Sequence, residues 1–383
     1  MKNPLWAVYL VAILIGISYG MHGPILPVFA KNVIGASYSE LGLIGFANFI
    51  PYMFIPLFVG ILLDRFNNGI LLSVGVVINS AAIFLLSISQ SVPEILGFRA
   101  LTGIAHAFFW PPSESIISNA SKNNNRVRNI STFTGFFVAG FMIGPLFGTL
   151  ILTDLDTSYR FLFQIASYIL ATAILFSLFS SKQKFRNHHE TISFLAVKQI
   201  AKFPVIIIAI IFCISSFGII LTIYPAFLND NSITDIDIEI LFFIFGISRV
   251  VTLVFAGKLA KRSSFTIIAA IFSITIGMGI SFVSESFLEF MFALLIMGFG
   301  FSIFLPLALE VVLSKTKRQI SGKMIGAFET VFGIGMAAGP IAAGLISEFS
   351  GNNAPYAVFF ALGLVVVTLS IIYRKMLEPK KVS

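Results

Sequence analysis

Residues 140–148 read Gly-Phe-Met-Ile-Gly-Pro-Leu-Phe-Gly, and residues 335–344 read Gly-Met-Ala-Ala-Gly-Pro-Ile-Ala-Ala-Gly. Each stretch sets small residues around a Gly-Pro pair inside a long apolar run. Small residues let helix backbones approach closely, and the proline removes one helix hydrogen bond and permits a kink. The correspondence extends outward from the pair. Phe133 recurs as Phe328, Pro111 as Pro306 and Gly103 as Gly298, all displaced by the same distance along the chain. Nearer the start of each copy, Gly20, Pro27 and Phe29 match Gly218, Pro225 and Phe227. Two copies of one unit in the same orientation are expected.

The setting of that repeat is lipid. The 383 residues are 57% hydrophobic and 11% charged, against about 25% charged in ordinary soluble chains. Mean hydropathy is +0.97. A soluble enzyme, a nucleic-acid binder and a secreted domain are excluded, because water would face an almost wholly apolar surface. The single cysteine, Cys213, lies in an apolar run, which excludes an internal disulfide or thiolate pair. No metal site or cofactor is expected.

A helix needs about 20 apolar residues to cross the hydrocarbon core. Short polar stretches divide the chain into twelve such runs, at 4–30, 40–63, 70–90, 93–119, 130–153 and 159–180, then 204–228, 238–260, 265–284, 287–313, 323–348 and 354–373. The first is too long for a signal-peptide core and reads as a span. The expectation is an all-α membrane protein of two pseudo-symmetric six-helix bundles: an N-terminal half over 1–180, a cytoplasmic linker over 181–203 and a C-terminal half over 204–383 with a short basic tail. The linker carries Lys182, Lys184, Arg186, Lys198 and Lys202 beside Phe194, Leu195, Val197 and Ile200, the pattern of a helix lying on a membrane surface.

Twelve spans put both termini on one side. Of the 25 Lys and Arg, all fall on that side except Lys31 and Arg160, which lie opposite, and Arg99 and Arg249, which lie inside spans. The positive-inside rule therefore makes both termini cytoplasmic, in a multi-pass protein of the plasma membrane. The formal charge of +8 is membrane topology and no nucleic-acid surface. Glu40, Glu94, Asp154, Asp156, Asp230, Asp235, Asp237, Glu239, Glu285, Glu289 and Glu348 read as the outward-facing acids.

Three further motifs complete the pattern. The second span ends Gly60-x-Leu62-x-Asp64-Arg65, the first holds Gly23-Pro24-Ile25-Leu26-Pro27, and the fourth carries Arg99-x-x-x-Gly103. With twelve spans and the repeat, these resemble the major facilitator superfamily over essentially the whole chain. Gly140-x-x-x-Gly144-Pro145-x-x-Gly148 is similar to the motif of its drug:proton antiporter branch, and Gly335, Gly339, Pro340 and Gly344 form an equally good second copy. The resemblance implies alternating access, a cavity lined by spans one, four, seven and ten, and a latch at Gly60, Asp64 and Arg65. The chain has Phe66-Asn67-Asn68-Gly69 where that family's loop continues with a glycine and basic residues. The glycine motifs read equally as tight helix packing or as a seal between the halves.

An ionisable side chain at mid-bilayer costs at least about 2.5–3.5 kcal/mol, so each one is a functional hypothesis. The candidates are His22, Arg99, His106, Glu114, Arg249, Glu310 and Glu329, with Tyr19 beside His22. Arg99, Thr102, His106 and Ser113 share one face of a continuous fourth span, and Glu114 lies about 60° away. His106 reads as a packed core imidazole or a proton carrier, and Glu114 as a carboxyl that gains and loses a proton as the cavity alternates. Arg249 requires an acid, a carbonyl or a substrate anion. Glu329 sits near a helix N-terminus, which favours negative charge. Phe108, Phe109, Trp110, Ser215, Ser216 and Tyr224 are candidate cavity walls, better suited to an amphipathic solute than to a sugar.

The expected function is a secondary transporter, functional as a monomer, that exports a small amphipathic solute in exchange for protons. Proton-coupled uptake of a small metabolite or anion is the alternative. A non-transporting membrane sensor or enzyme is remote, since the sequence has four His, one Cys and no phosphate-binding G-x-x-x-x-G-K-[ST] loop.

Overall fold

The structure is a computed structural model that describes residues 5–121, 126–154, 159–180, 201–316 and 321–379. The stretch 181–200, which holds most of the expected surface-lying linker, lies outside these residues. Fifteen α-helices are present among them: α1 Leu5–His22, α2 Ile25–Asn32, α3 Tyr38–Arg65, α4 Asn68–Ile88, α5 Val92–Ala107, α6 Trp110–Ala120, α7 Arg126–Asp154, α8 Tyr159–Ser180, α9 Pro204–Thr222, α10 Tyr224–Asp230, α11 Asp235–Leu259, α12 Ser263–Val283, α13 Phe287–Ser314, α14 Ser321–Ser350 and α15 Ala354–Ile372. Three pairs, α1/α2, α5/α6 and α9/α10, are interrupted spans, so the helices form twelve membrane crossings. Nine helical stretches among the described residues are long and apolar enough to cross a membrane by themselves. Large apolar side chains such as Leu175, Val254, Phe265 and Phe349 lie exposed on the surface, as lipid contact requires.

The interruptions have local causes. After α1, the Gly23 amide still donates to the Tyr19 carbonyl at 2.9 Å. Pro24 has no amide hydrogen to continue the ladder, and α2 starts behind it. The fourth span breaks at Phe108-Phe109: the Phe108 amide is shared between Ile104 O at 3.2 Å and Ala105 O at 3.1 Å, and the Phe109 amide reaches His106 O at 3.1 Å. Pro111 and Pro112 follow with no amide hydrogens. This corrects the expectation of one continuous fourth span: α5 ends at Ala107 and α6 begins at Trp110. A single proline is tolerated: Pro306 sits inside unbroken α13, Pro145 inside α7 and Pro340 inside α14.

Two compact units divide the chain. The first comprises residues 1–36, 47–189 and 234–246. Within it α1 and α7 cross at glycines. A Cβ on Gly140 would lie 3.1 Å from Gly16 Cα, and one on Gly144 would lie 2.7 Å from Gly20 Cα. Serines join α4 to α8: Ser167 Oγ donates to the Ser80 carbonyl at 2.8 Å and Ser177 Oγ to Ser73 Oγ at 2.8 Å. Asn67 caps α4 by accepting the Gly69 amide at 2.8 Å, and Asn68 Nδ2 donates to Ser115 Oγ on α6 at 2.8 Å. The residues that depart from the superfamily loop thus build a helix start.

The second unit comprises residues 37–46, 190–233 and 247–383. It repeats the glycine crossing between α9 and α14, where a Cβ on Gly339 would lie 2.7 Å from Ser215 Cα. The first turns of α3 pack on α14 in this unit: a Cβ on Gly344 would lie 3.0 Å from Gly42 Cα, and one on Gly45 would lie 2.8 Å from Pro340 Cβ. Tyr38 Oη donates to Asp230 Oδ2 at 2.7 Å.

Candidate functional site

The first unit encloses a cluster of polar side chains brought together by α1, α3, α4 and α5. Ser18, Tyr19 and His22 fall on the last turn of α1, and all three are buried. His22 Nδ1 lies 2.6 Å from the Ser18 carbonyl. That oxygen can only accept, so Nδ1 carries the hydrogen and Nε2 is the protonatable nitrogen. Tyr19 Oη donates to Asn79 Oδ1 of α4 at 3.1 Å. On α5, Arg99, Thr102 and His106 share a face because they are spaced by 3 and 7 residues. The His106 ring packs at a tilt against Tyr19 with centroids 4.6 Å apart and meets Tyr52 edge-on at 6.2 Å. Thr102 Oγ1 lies 2.7 Å from Asn48 Oδ1 of α3 and 2.7 Å from the Arg99 carbonyl. Gly103 lets α5 approach α3, since a Cβ there would strike the Asn48 carbonyl.

Electrostatics in this cluster are one-sided. Arg99 is only 9% exposed, and its Nε has no hydrogen-bond partner among the described residues. The Nε2 atoms of His22 and His106 are likewise buried without partners among them. A guanidinium and two imidazoles share the space, and a buried cation is stable only beside a compensating acceptor. The arrangement can therefore receive an anion or a strongly accepting group, and it offers two imidazole nitrogens for a proton.

Four of the sequence candidates, Tyr19, His22, Arg99 and His106, converge here. The others are placed elsewhere. Trp110 belongs to an aromatic knot with Phe109, Phe133 and Phe137 at centroid distances of 5.1–5.3 Å. Glu114, Glu310 and Glu329 have exposed side chains. Arg249 lies over the Phe217 ring, 5.0 Å from its centroid, and Phe217 meets Phe301. Tyr224 is fully buried; its hydroxyl shares a 2.7 Å hydrogen bond with Ser281 Oγ inside a box of Phe227, Phe290 and Tyr356. Ser215 and Ser216 donate to the Gly335 and Phe212 carbonyls, so both hydroxyls are used within the fold. The Asp64 side chain lies outside what is described, Arg65 is exposed, and a Cβ on Gly60 would meet nothing within 4 Å.

Glu239, read with the outward acids, is fully buried on α11. Its carboxylate covers Gly148, the last glycine of the α7 motif: a Cβ there would lie 2.7 Å from Glu239 Cδ. The sequence carried a signal for this burial, because Glu239 shares a helix face with Phe242 and Gly246 at spacings of 3 and 7, and both are buried.

Comparison with known proteins identifies the family behind this architecture. A model described as Major Facilitator Superfamily matches residues 8–283 and 205–383. The chain belongs to the major facilitator superfamily. Among curated relatives, the quinolone resistance protein NorA of Staphylococcus aureus is 24% identical over 178 residues, 46% of this chain and 45% of that one. The chain thus spans a little under half the length of those relatives. The uncharacterized MFS-type transporter MJ1560 of Methanocaldococcus jannaschii is 24% identical over 371 residues, covering 93% of this chain and 94% of that protein. Among solved structures, the nucleoside transporter NupG superposes with TM-score 0.78 at 15% identity, covering 99% of this chain and 100% of that one. A bacterial homolog of the human lysosomal transporter Spinster gives 0.78 at 14% identity, over 98% and 97%. At such identities these structures establish the fold. The superfamily is one of membrane transporters.

Proposed function

We propose that the chain is a secondary active transporter of the plasma membrane that exports a small amphipathic solute by alternating access in exchange for protons. The observation that carries the reading is the enclosed cluster of Tyr19, His22, Arg99 and His106, in which aromatic rings adjoin a cation and two titratable imidazoles. Rings supply contact for an apolar body, and the cation orients a polar end. The likeness to NorA over part of the chain supports export and the antiporter branch. The concentration of Lys and Arg on the side of the termini supports cytoplasmic termini.

Proton-coupled uptake of a small anion is the second reading, favoured by Arg99. Acid-loaded proteoliposomes separate the two. A panel of amphipathic cations, zwitterions and anions is added, and internal pH is followed. Antiport gives solute-dependent internal alkalinisation that weakens in His106→Gln and Glu114→Gln. Flux indifferent to an imposed pH gradient overturns proton coupling, and flux confined to small anions moving with protons selects the second reading.

A further inference from the structure

We infer that Glu239 is a proton-binding site whose neutral form closes the contact between α7 and α11, and whose ionisation opens it. Both carboxyl oxygens are buried and have no hydrogen-bond partner among the described residues. An ionised carboxylate left without donors in an apolar interior costs several kcal/mol, whereas the neutral acid loses far less hydration. The side chain therefore rests over Gly148 as COOH.

Two contacts hold α11 against α7 in antiparallel order. Glu239 covers Gly148, and one face-repeat further along, a Cβ on Gly246 would lie 2.8 Å from Met142 Cγ. Gly148 is the motif position whose missing side chain leaves room for the carboxyl, a role distinct from the backbone crossings at Gly140 and Gly144.

Other titratable and charged groups stand on the elements at this end of the helices. On α11, Asp235 stands one turn before Glu239 and accepts from Tyr159 Oη of α8 at 2.6 Å, while Asp237 accepts from Thr234 Oγ1 at 2.7 Å. Arg160 of α8 donates to the Ser87 carbonyl at 2.9 Å and lies over the Phe29 ring of α2. Lys31 lies in the last turn of α2. The Asp235 carboxylate, one turn away, acts on Glu239 and favours the neutral acid. Losing the proton places two like charges one turn apart. It also places an unsolvated carboxylate on the glycine, so the proton leaves to water only as this end of α11 lifts from α7. One proton is bound on closing and one is released on opening.

The inference deepens the proton-coupled reading, and its test uses no solute, so its failure is distinct from an absence of gradient-driven flux. The full chain in lipid nanodiscs is examined by infrared difference spectroscopy across a pH series. The expected result is a protonated-carboxyl band near neutral pH that shifts on ¹³C labelling of glutamate and is lost in Glu239→Gln. In Asp235→Asn, which keeps the acceptor for Tyr159, the band titrates at lower pH. Hydrogen exchange, corrected for its intrinsic pH dependence, rises several-fold on alkalinisation in peptides 143–154 and 235–246 of the wild type and stays low in Glu239→Gln. A band unchanged by Glu239→Gln overturns the site. Exchange that rises equally in wild type and Glu239→Gln overturns the coupling to helix contact. If Glu239→Gln does not fold, the Asp235→Asn shift decides the matter, and an unmoved titration overturns the inference.

Discussion

The rings of Tyr19 and His106 lie 4.6 Å apart at an interplanar angle of 31°. The junction between α1 and α5 is therefore a tilted aromatic pair with titratable nitrogen at its edge, and the Tyr19 hydroxyl is tied to Asn79 on a third helix.

Tyr19→Phe keeps the ring pair and loses the hydroxyl bond, whereas Tyr19→Leu loses both. The expected cost is about 1 kcal/mol for the first, with a further 0.5–1.5 kcal/mol or so for the ring pair in the second. Cys213 is buried and is the sole cysteine, so a thiol-reactive dye reports unfolding at one known position. Thermal ramps of the detergent-solubilised protein should rank wild type above Phe and Phe above Leu. Equal melting of Phe and Leu would remove the ring pair from the account.

The glycine positions divide into two kinds. At Gly144 and Gly339 an added Cβ meets backbone atoms at 2.7 Å, and backbone in a packed crossing has nowhere to go. Gly144→Ala and Gly339→Ala should each destabilise by about 1–3 kcal/mol, the usual cost of overpacking. Gly60→Ala meets nothing within 4 Å and should stay within about 0.5 kcal/mol of wild type. A loss of transport in Gly60→Ala at unchanged melting temperature would assign that glycine to motion and not to packing.

Much of the architecture was legible because lipid leaves few choices. Span number follows from apolar length, and the Gly-Pro repeat marks where helix backbones meet. Glycines 140, 144, 335 and 339 sit at the crossings their spacing implies. Two features were harder to read. The break after Phe108 is followed by two adjacent prolines, and a span read from its apolar length alone runs straight through it. The burial of Glu239 was marked by its spacing to Phe242 and Gly246, but its partner Gly148 is distant in sequence and carried no such mark. Asn48 and Asn79 carried no periodic signal, because a single amide in an apolar helix gains its role only from the partner helix.

Thr102 has one hydroxyl hydrogen, and Asn48 Oδ1 lies within reach at 2.7 Å. Both side chains are buried. Thr102→Val is nearly isosteric and leaves the Asn48 amide oxygen without that donor, which should cost about 1–3 kcal/mol. The double variant Thr102→Val with Asn48→Leu removes both polar groups and should recover part of the loss. The dye-detected melting temperatures of the four proteins form the cycle, and strict additivity would show that the two residues do not interact.

Arg99 separates a binding role from a structural one. A buried guanidinium whose Nε lacks a partner among the described residues is costly to the empty fold. Arg99→Gln, which is neutral and still polar, should melt at or above the wild-type temperature. If the guanidinium orients the polar end of the solute, Arg99→Gln should weaken binding of carboxylate-bearing solutes at least tenfold, about 1.4 kcal/mol. Neutral analogues of the same shape should be little affected. Arg99→Lys restores the charge without the planar fork, so recovery should be incomplete. Equilibrium binding of paired acid and amide analogues to the three proteins measures this directly. Equal weakening for acid and amide would show that Arg99 shapes the cavity without reading charge.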